Sequence, residues 1–150
     1  MITKNLLAAG LAAAAGIALA GCGGAAGHTD PPPASLRAIS GSPVQEVLLT
    51  ARAEQRLGIV TQPVRAAAAP SGGHGGRAVI PYSAVIYDND GSTWTYVNTT
   101  GRTFVRQPIV INAIQGSEAV LDRSPAVGTP VVTVGAPELL GTEYDISGEQ

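Results

Sequence analysis

Few side chains in this chain of 150 residues can act as nucleophiles or soft ligands: Cys22 is the only cysteine, and His28 and His74 are the only histidines. A single thiol has no intramolecular disulfide partner, so acylation of the sulfur is the chemistry that gives Cys22 a use. Both histidines fall in coil-like composition, and a metal site built on His74 would need carboxylates to complete it. A solvent-exposed linker histidine accounts for His74 more simply. Asp88-Asn89-Asp90-Gly91 has the residue types of a calcium loop, but an EF-hand needs a longer alternation of oxygen ligands and a Glu at its twelfth position. Lying between two strand-like runs, it reads as a turn. Asn98-Thr99-Thr100 matches the glycosylation acceptor pattern and likewise reads as a hairpin turn. The glycines around His74 lack a following Lys-Ser or Lys-Thr and lack GxGxxG spacing, so they do not form a phosphate loop. There is no GxSxG elbow, and spacing alone does not fix a carboxylate pair that would be assembled in three dimensions. Trp94 and Tyr96 could present a ligand-binding face, with a core role as the plainer assignment. The expectation is a non-enzymatic module with no cofactor and no metal.

The elements that must position Cys22 come before it. Lys4 is the only charge ahead of Asp30, and residues 6–20 consist of Leu, Ala, Gly and Ile. This stretch falls short of the roughly 20 apolar residues that a permanent membrane helix needs, and it has the form of a secretory leader. Leu19-Ala20-Gly21-Cys22 resembles the bacterial lipobox, which implies removal of residues 1–21 and a diacylglyceryl thioether on Cys22. An ordinary leader with an incidental cysteine and an uncleaved membrane helix are the other readings. Each buried methylene adds about 0.8 kcal/mol of membrane attachment, so two or three acyl chains, palmitate among them, would hold the chain on a bilayer. The expected location is the extracytoplasmic face of the cell membrane, with membrane lipid as partner through acylated Cys22. Residues 22–43, rich in Gly, Pro, Ala and Ser, read as a flexible tether extended by Pro31-Pro32-Pro33.

The formal net charge is −2, and beyond Lys4 every basic residue is arginine. No basic patch stands out along the sequence, which argues against nucleic acid as a partner. The residues beyond the tether suffice for one small domain, 44–146, with a linker at 66–77 and a tail at 147–150.

Within that domain, Thr50 is a candidate N-cap, residues 51–57 are good helix formers, and Gly58 sits where a left-handed C-cap ends the helix. Strands are expected on either side, the second ending at Pro63. From Ala78 onward short strands alternate with turns at Asp88–Ser92, Asn98–Gly101, Gln115–Ser117 and Ser124–Thr129. Residues 137–140 predict one final helical turn. The predicted fold is mainly β, a small antiparallel sandwich or barrel-like domain with one or two short helices.

The order of segments resembles the periplasmic adaptor proteins, also called membrane fusion proteins, of efflux and secretion systems. VLLTARAEQRLGIVTQPVR resembles their opening segment. AVIPYSAVIYDNDGSTWTYV resembles the run that begins the membrane-proximal domain, and RTFVRQPIVINAIQGSEAVLDRSPAVGTPVVTVGAPELLGTEYDI resembles the rest of that domain. The match covers residues 44–146. The family's lipoyl-like domain, helical hairpin and β-barrel do not fit within residues 66–77, so the chain resembles the two ends of an adaptor joined. The usual Gly-Leu before the family's Gly-Asp step is replaced by Arg123-Ser124-Pro125-Ala126-Val127-Gly128-Thr129. The resemblance implies a lipid-anchored module that binds a membrane permease, an efflux transporter or another envelope protein. Contact is expected through the turns carrying Asp88, Asn89, Asp90, Gly91, Asn98, Gly101 and Arg102. A ligand- or metal-binding surface lipoprotein is the alternative.

Overall fold

Two local signals set the first helix. Thr50 has extended backbone angles, and its Oγ1 accepts a hydrogen bond from the Ala53 amide at 3.2 Å, while Gly58 ends the helix at φ 62°. Only a residue without a Cβ takes that left-handed conformation at little cost. Between them runs α1 (Ala51–Leu57), preceded by β2 (Gln45–Leu49) and followed by β3 (Val60–Pro63), as the sequence predicts. The computed structural model describes residues 31–67 and 77–148. Cys22, His28 and His74, together with the leader, most of the linker and the first part of the tether, lie outside the described residues.

The remaining strands are β1 (Ala34–Ala38), β4 (Arg65–Ala66), β5 (Ala78–Pro81), β6 (Ile86–Tyr87), β7 (Thr93–Thr100), β8 (Thr103–Pro108), β9 (Val110–Gln115), β10 (Glu118–Arg123) and β11 (Pro130–Val134). A 3-10 turn covers Tyr82–Ala84, and α2 covers Ala136–Gly148. All pairings are antiparallel. The larger sheet runs β1-β2-β8-β7-β11-β3, with β6 also on β7, and the smaller runs β4-β5-β10-β9. Both sheets end in open edges, so the expected mainly-β fold of short antiparallel strands is present without a closed barrel. Pro63, which cannot donate to a ladder, sits on β3 at the edge of the larger sheet.

Alternation along the central strands builds two cores. Val97, Val105 and Val131 face the smaller sheet, where Ala78, Ile80, Ala119 and Leu121 meet them. Their neighbours Tyr96, Phe104 and Val132 point to the opposite face and pack on Ala53 of α1 and Ala136 and Leu139 of α2. The larger sheet is thus covered on both faces, by the smaller sheet and by the helices. Tyr96 is fully buried and Trp94 half-buried, so both take core roles.

Two boundaries differ from expectation. β1 lies inside the segment expected to be tether, pairing along its length with β2 from Ala34↔Leu49 to Ala38↔Gln45. The final helix extends for 13 residues instead of one turn, taking in part of the expected tail. Each is held by contacts distant in sequence, β1 by strand pairing and α2 by burial of Leu139 and Glu143.

Candidate functional site

The expected contact residues do not form one surface. Asp88–Ser92 precedes β7, whereas Asn98, Thr99 and Thr100 are its last three residues and Gly101 and Arg102 follow it, so the two groups stand at opposite ends of an eight-residue strand. At about 3.3 Å per residue they are more than about 20 Å apart. Asn89, Asp90 and Gly91 stand at the first turn, where the Asp90 carboxylate accepts the Ser92 amide at 2.8 Å and is held below its ordinary pKa chiefly by Ser92. At the other end Asn98 is half-buried, its amide donating to the carbonyl of Gly101 at 2.8 Å, with Gly101 and Arg102 exposed.

Asp88 turns inward. Its Oδ2 accepts from Nη1 of Arg106 at 2.9 Å, and its Oδ1 accepts from the Tyr144 hydroxyl at 2.6 Å and from the Asn89 amide at 2.8 Å. The Tyr144 hydrogen bond leads in holding the Asp88 carboxyl below the usual aspartate range, followed by the Asn89 amide and then Arg106. Arg106 on β8 also donates Nε to Glu143, 3.1 Å from Oε1 and 3.0 Å from Oε2. Glu143 accepts a further hydrogen bond from the hydroxyl of Tyr96. Burial, reinforced by that hydrogen bond, pushes the Tyr96 phenol far above its usual range, so it stays a neutral donor. The Arg106 guanidinium lies 5.1 Å from the Trp94 ring centre and 5.6 Å from that of Tyr144.

This cluster ties four elements together: the 88–92 turn, β7, β8 and α2. The side chains of Arg106 and Glu143 are only 11% and 5% exposed. Their charges are tolerated there because each is paired and further hydrogen-bonded. The cluster acts as a fastening of α2 to the sheet, a role that sequence reasoning did not assign to Arg106, Glu143 or Tyr144. A signal was present. Ala136, Leu139, Glu143 and Ile146 fall at helical spacing, and a carboxylate on that otherwise apolar stripe demands a buried cation.

Depressions lined by the described residues mark the surface. A shallow groove of about 470 Å³ is lined by Gln62, Arg65, Pro81, Tyr82, Ser83, Ser117 and Glu118, with an Arg65–Glu118 ion pair across it. A smaller cleft of about 210 Å³ is lined by Pro33, Ala34, Leu49, Ala53 and Leu57, with Arg56 and Thr142 as its polar members. Among the described residues no group of three or more His, Cys, Asp or Glu is placed to hold a metal ion. No helix among them is long and apolar enough to cross a membrane. No family model matches the chain, no curated protein matches its sequence and no solved structure matches its fold.

Proposed function

We propose that this chain is a non-catalytic module, anchored by lipid at Cys22 to the extracytoplasmic face of the cell membrane, that binds a membrane transporter in the manner of a shortened periplasmic adaptor. The observation that carries the reading is how the two adaptor-like ends are knitted together. Strand β2 of the opening segment pairs with β8, and β3 pairs with β11, so segments far apart in an adaptor share one sheet here. Where an adaptor inserts its other domains, the chain leaves along β4 and returns along β5. These strands lie side by side, Arg65 opposite Val79 and Ala66 opposite Ala78, with the Ala67 amide donating to the Arg77 carbonyl at 2.6 Å. Adjacent exit and return strands are the geometry a domain needs to accept or lose an insertion without refolding its core.

The transporter contact is assigned to a strand-end turn, where a lipid-tethered module works at high local concentration and a weak contact suffices. A photo-crosslinking residue placed at Asn89 or at Thr99, in cells with membranes intact, is expected to yield an adduct with a multi-spanning transporter from one of the two positions. Absence of such an adduct from both positions contradicts the proposal.

A further inference from the structure

The arginines divide into two populations. Arg37 pairs with Glu46, Arg65 with Glu118, Arg77 with Asp122, and Arg106 with Asp88 and Glu143. Arg52, Arg56, Arg102 and Arg123 make no ion pair among the described residues. Three of these four meet at one end of the domain. Arg52 and Arg56 stand four residues apart on α1, spacing that puts them on one face one above the other. Arg102, fifty residues after Arg52, is brought by strand pairing to Leu49, two residues ahead of α1: its carbonyl accepts the Leu49 amide at 3.0 Å and its Nε donates to the Leu49 carbonyl at 3.3 Å. Leu49 lines the 210 Å³ cleft, and so does Arg56.

An arginine without an ion pair lining an almost wholly apolar cleft, with Arg102 bonded to the Leu49 wall and Arg52 one helical turn from Arg56, on a chain whose net charge is −2, matches a ligand with an anionic head and a hydrocarbon body. We infer that this end binds anionic phospholipid of the bilayer, the arginines taking the phosphate and the cleft covering the first methylenes below it. Charge complementarity supports this occupant: guanidinium groups suit phosphate oxygens, and an acidic protein would otherwise be repelled by an anionic bilayer. Chain direction adds to it, since the described residues begin at Pro31 and Pro33 already lines the cleft, with Cys22 nine residues before Pro31 in the sequence. That last point rests on the lipid-anchor reading; the arginines and the cleft do not.

The test measures partition of the full chain onto phosphatidylcholine vesicles and onto vesicles containing phosphatidylglycerol, and takes the ratio of the two coefficients at low salt. An acyl contribution is uncharged, enters both coefficients and cancels, while any charge on a retained leader, Lys4 included, is common to the wild type and the arginine variants and cancels in their comparison. The expected ratio is on the order of a hundred, falling roughly five-fold with each of Arg52→Gln, Arg56→Gln and Arg102→Gln, and toward one as salt is raised. Arg123→Gln should leave it unchanged. A short-chain phosphatidylglycerol should compete for the site, and glycerol phosphate at the same concentration should not. A ratio near one, a ratio indifferent to the three substitutions, or equal competition by glycerol phosphate overturns the inference. Failure of the anchor reading would look different, lowering both coefficients together and leaving the ratio intact.

Discussion

Arg106 and the trio Arg52, Arg56 and Arg102 carry the same side chain in opposite settings. Arg106 is closed in by Asp88, Glu143, Trp94 and Tyr144, with both carboxylates accepting its hydrogen bonds. Of the trio, Arg56 lines an apolar cleft and Arg102 is bonded to its Leu49 wall, and among the described residues none of the three makes an ion pair. A guanidinium with its charge answered inside the fold contributes structure. One left unanswered at the surface is available to a ligand. The contrast separates residues that keep α2 in place from residues proposed to take an anionic lipid.

Breaking the first setting should have the largest effect. Arg106→Ala removes the guanidinium that bonds both Asp88 and the buried Glu143 and is expected to lower unfolding stability by about 3 kcal/mol in a urea titration. Restoring most of that stability by adding Glu143→Gln would show that the loss comes from the Arg106–Glu143 charge pair, as a double-mutant cycle reads it. Thr95 should move stability the other way. It is fully buried and its Oγ1 has no hydrogen-bond partner among the described residues, so Thr95→Val is expected to stabilise by about 1 kcal/mol. Removing the Tyr144 hydroxyl with Tyr144→Phe takes one hydrogen bond from Oδ1 of Asp88, which keeps that of the Asn89 amide, and is expected to cost about 1 kcal/mol or less. The trio supplies the opposite pole: Arg52→Gln and Arg56→Gln should each change stability by less than about 0.5 kcal/mol while changing vesicle binding.

Acid should sharpen the same contrast. The Asp88 carboxyl is depressed in the folded state, so its contribution is present in full above the unfolded value near 3.9 and is lost as pH falls through the lower folded value. The urea midpoint should therefore drop below about pH 4, and Asp88→Asn should flatten part of that drop. Only part is removed, because Asp90 and Asp122 are depressed as well, Asp122 chiefly by Asn112 and then Arg77.

The features legible in the sequence were local ones. Thr50 and Gly58 announce α1 because each cap is satisfied within a few residues, and the 88–97 hairpin is announced by its turn residues and by Trp94 and Tyr96 on one face. β1 was hidden because only its pairing with β2 makes Ala34–Ala38 a strand. The second half of α2 contains Gly141, Thr142, Asp145 and Gly148, poor helix formers, and is held by tertiary contact through Glu143. The arginine trio was hidden for the same reason. Arg102 reaches Leu49 only through the β2–β8 pairing, so no short window along the sequence contains it together with Arg52 and Arg56.

The most direct measurement is the intact mass of the chain recovered from the membrane fraction of its native host. A chain starting at Cys22 and carrying diacylglycerol on its sulfur is the predicted result. A freely secreted, unacylated polypeptide would contradict a module that works while held against the bilayer.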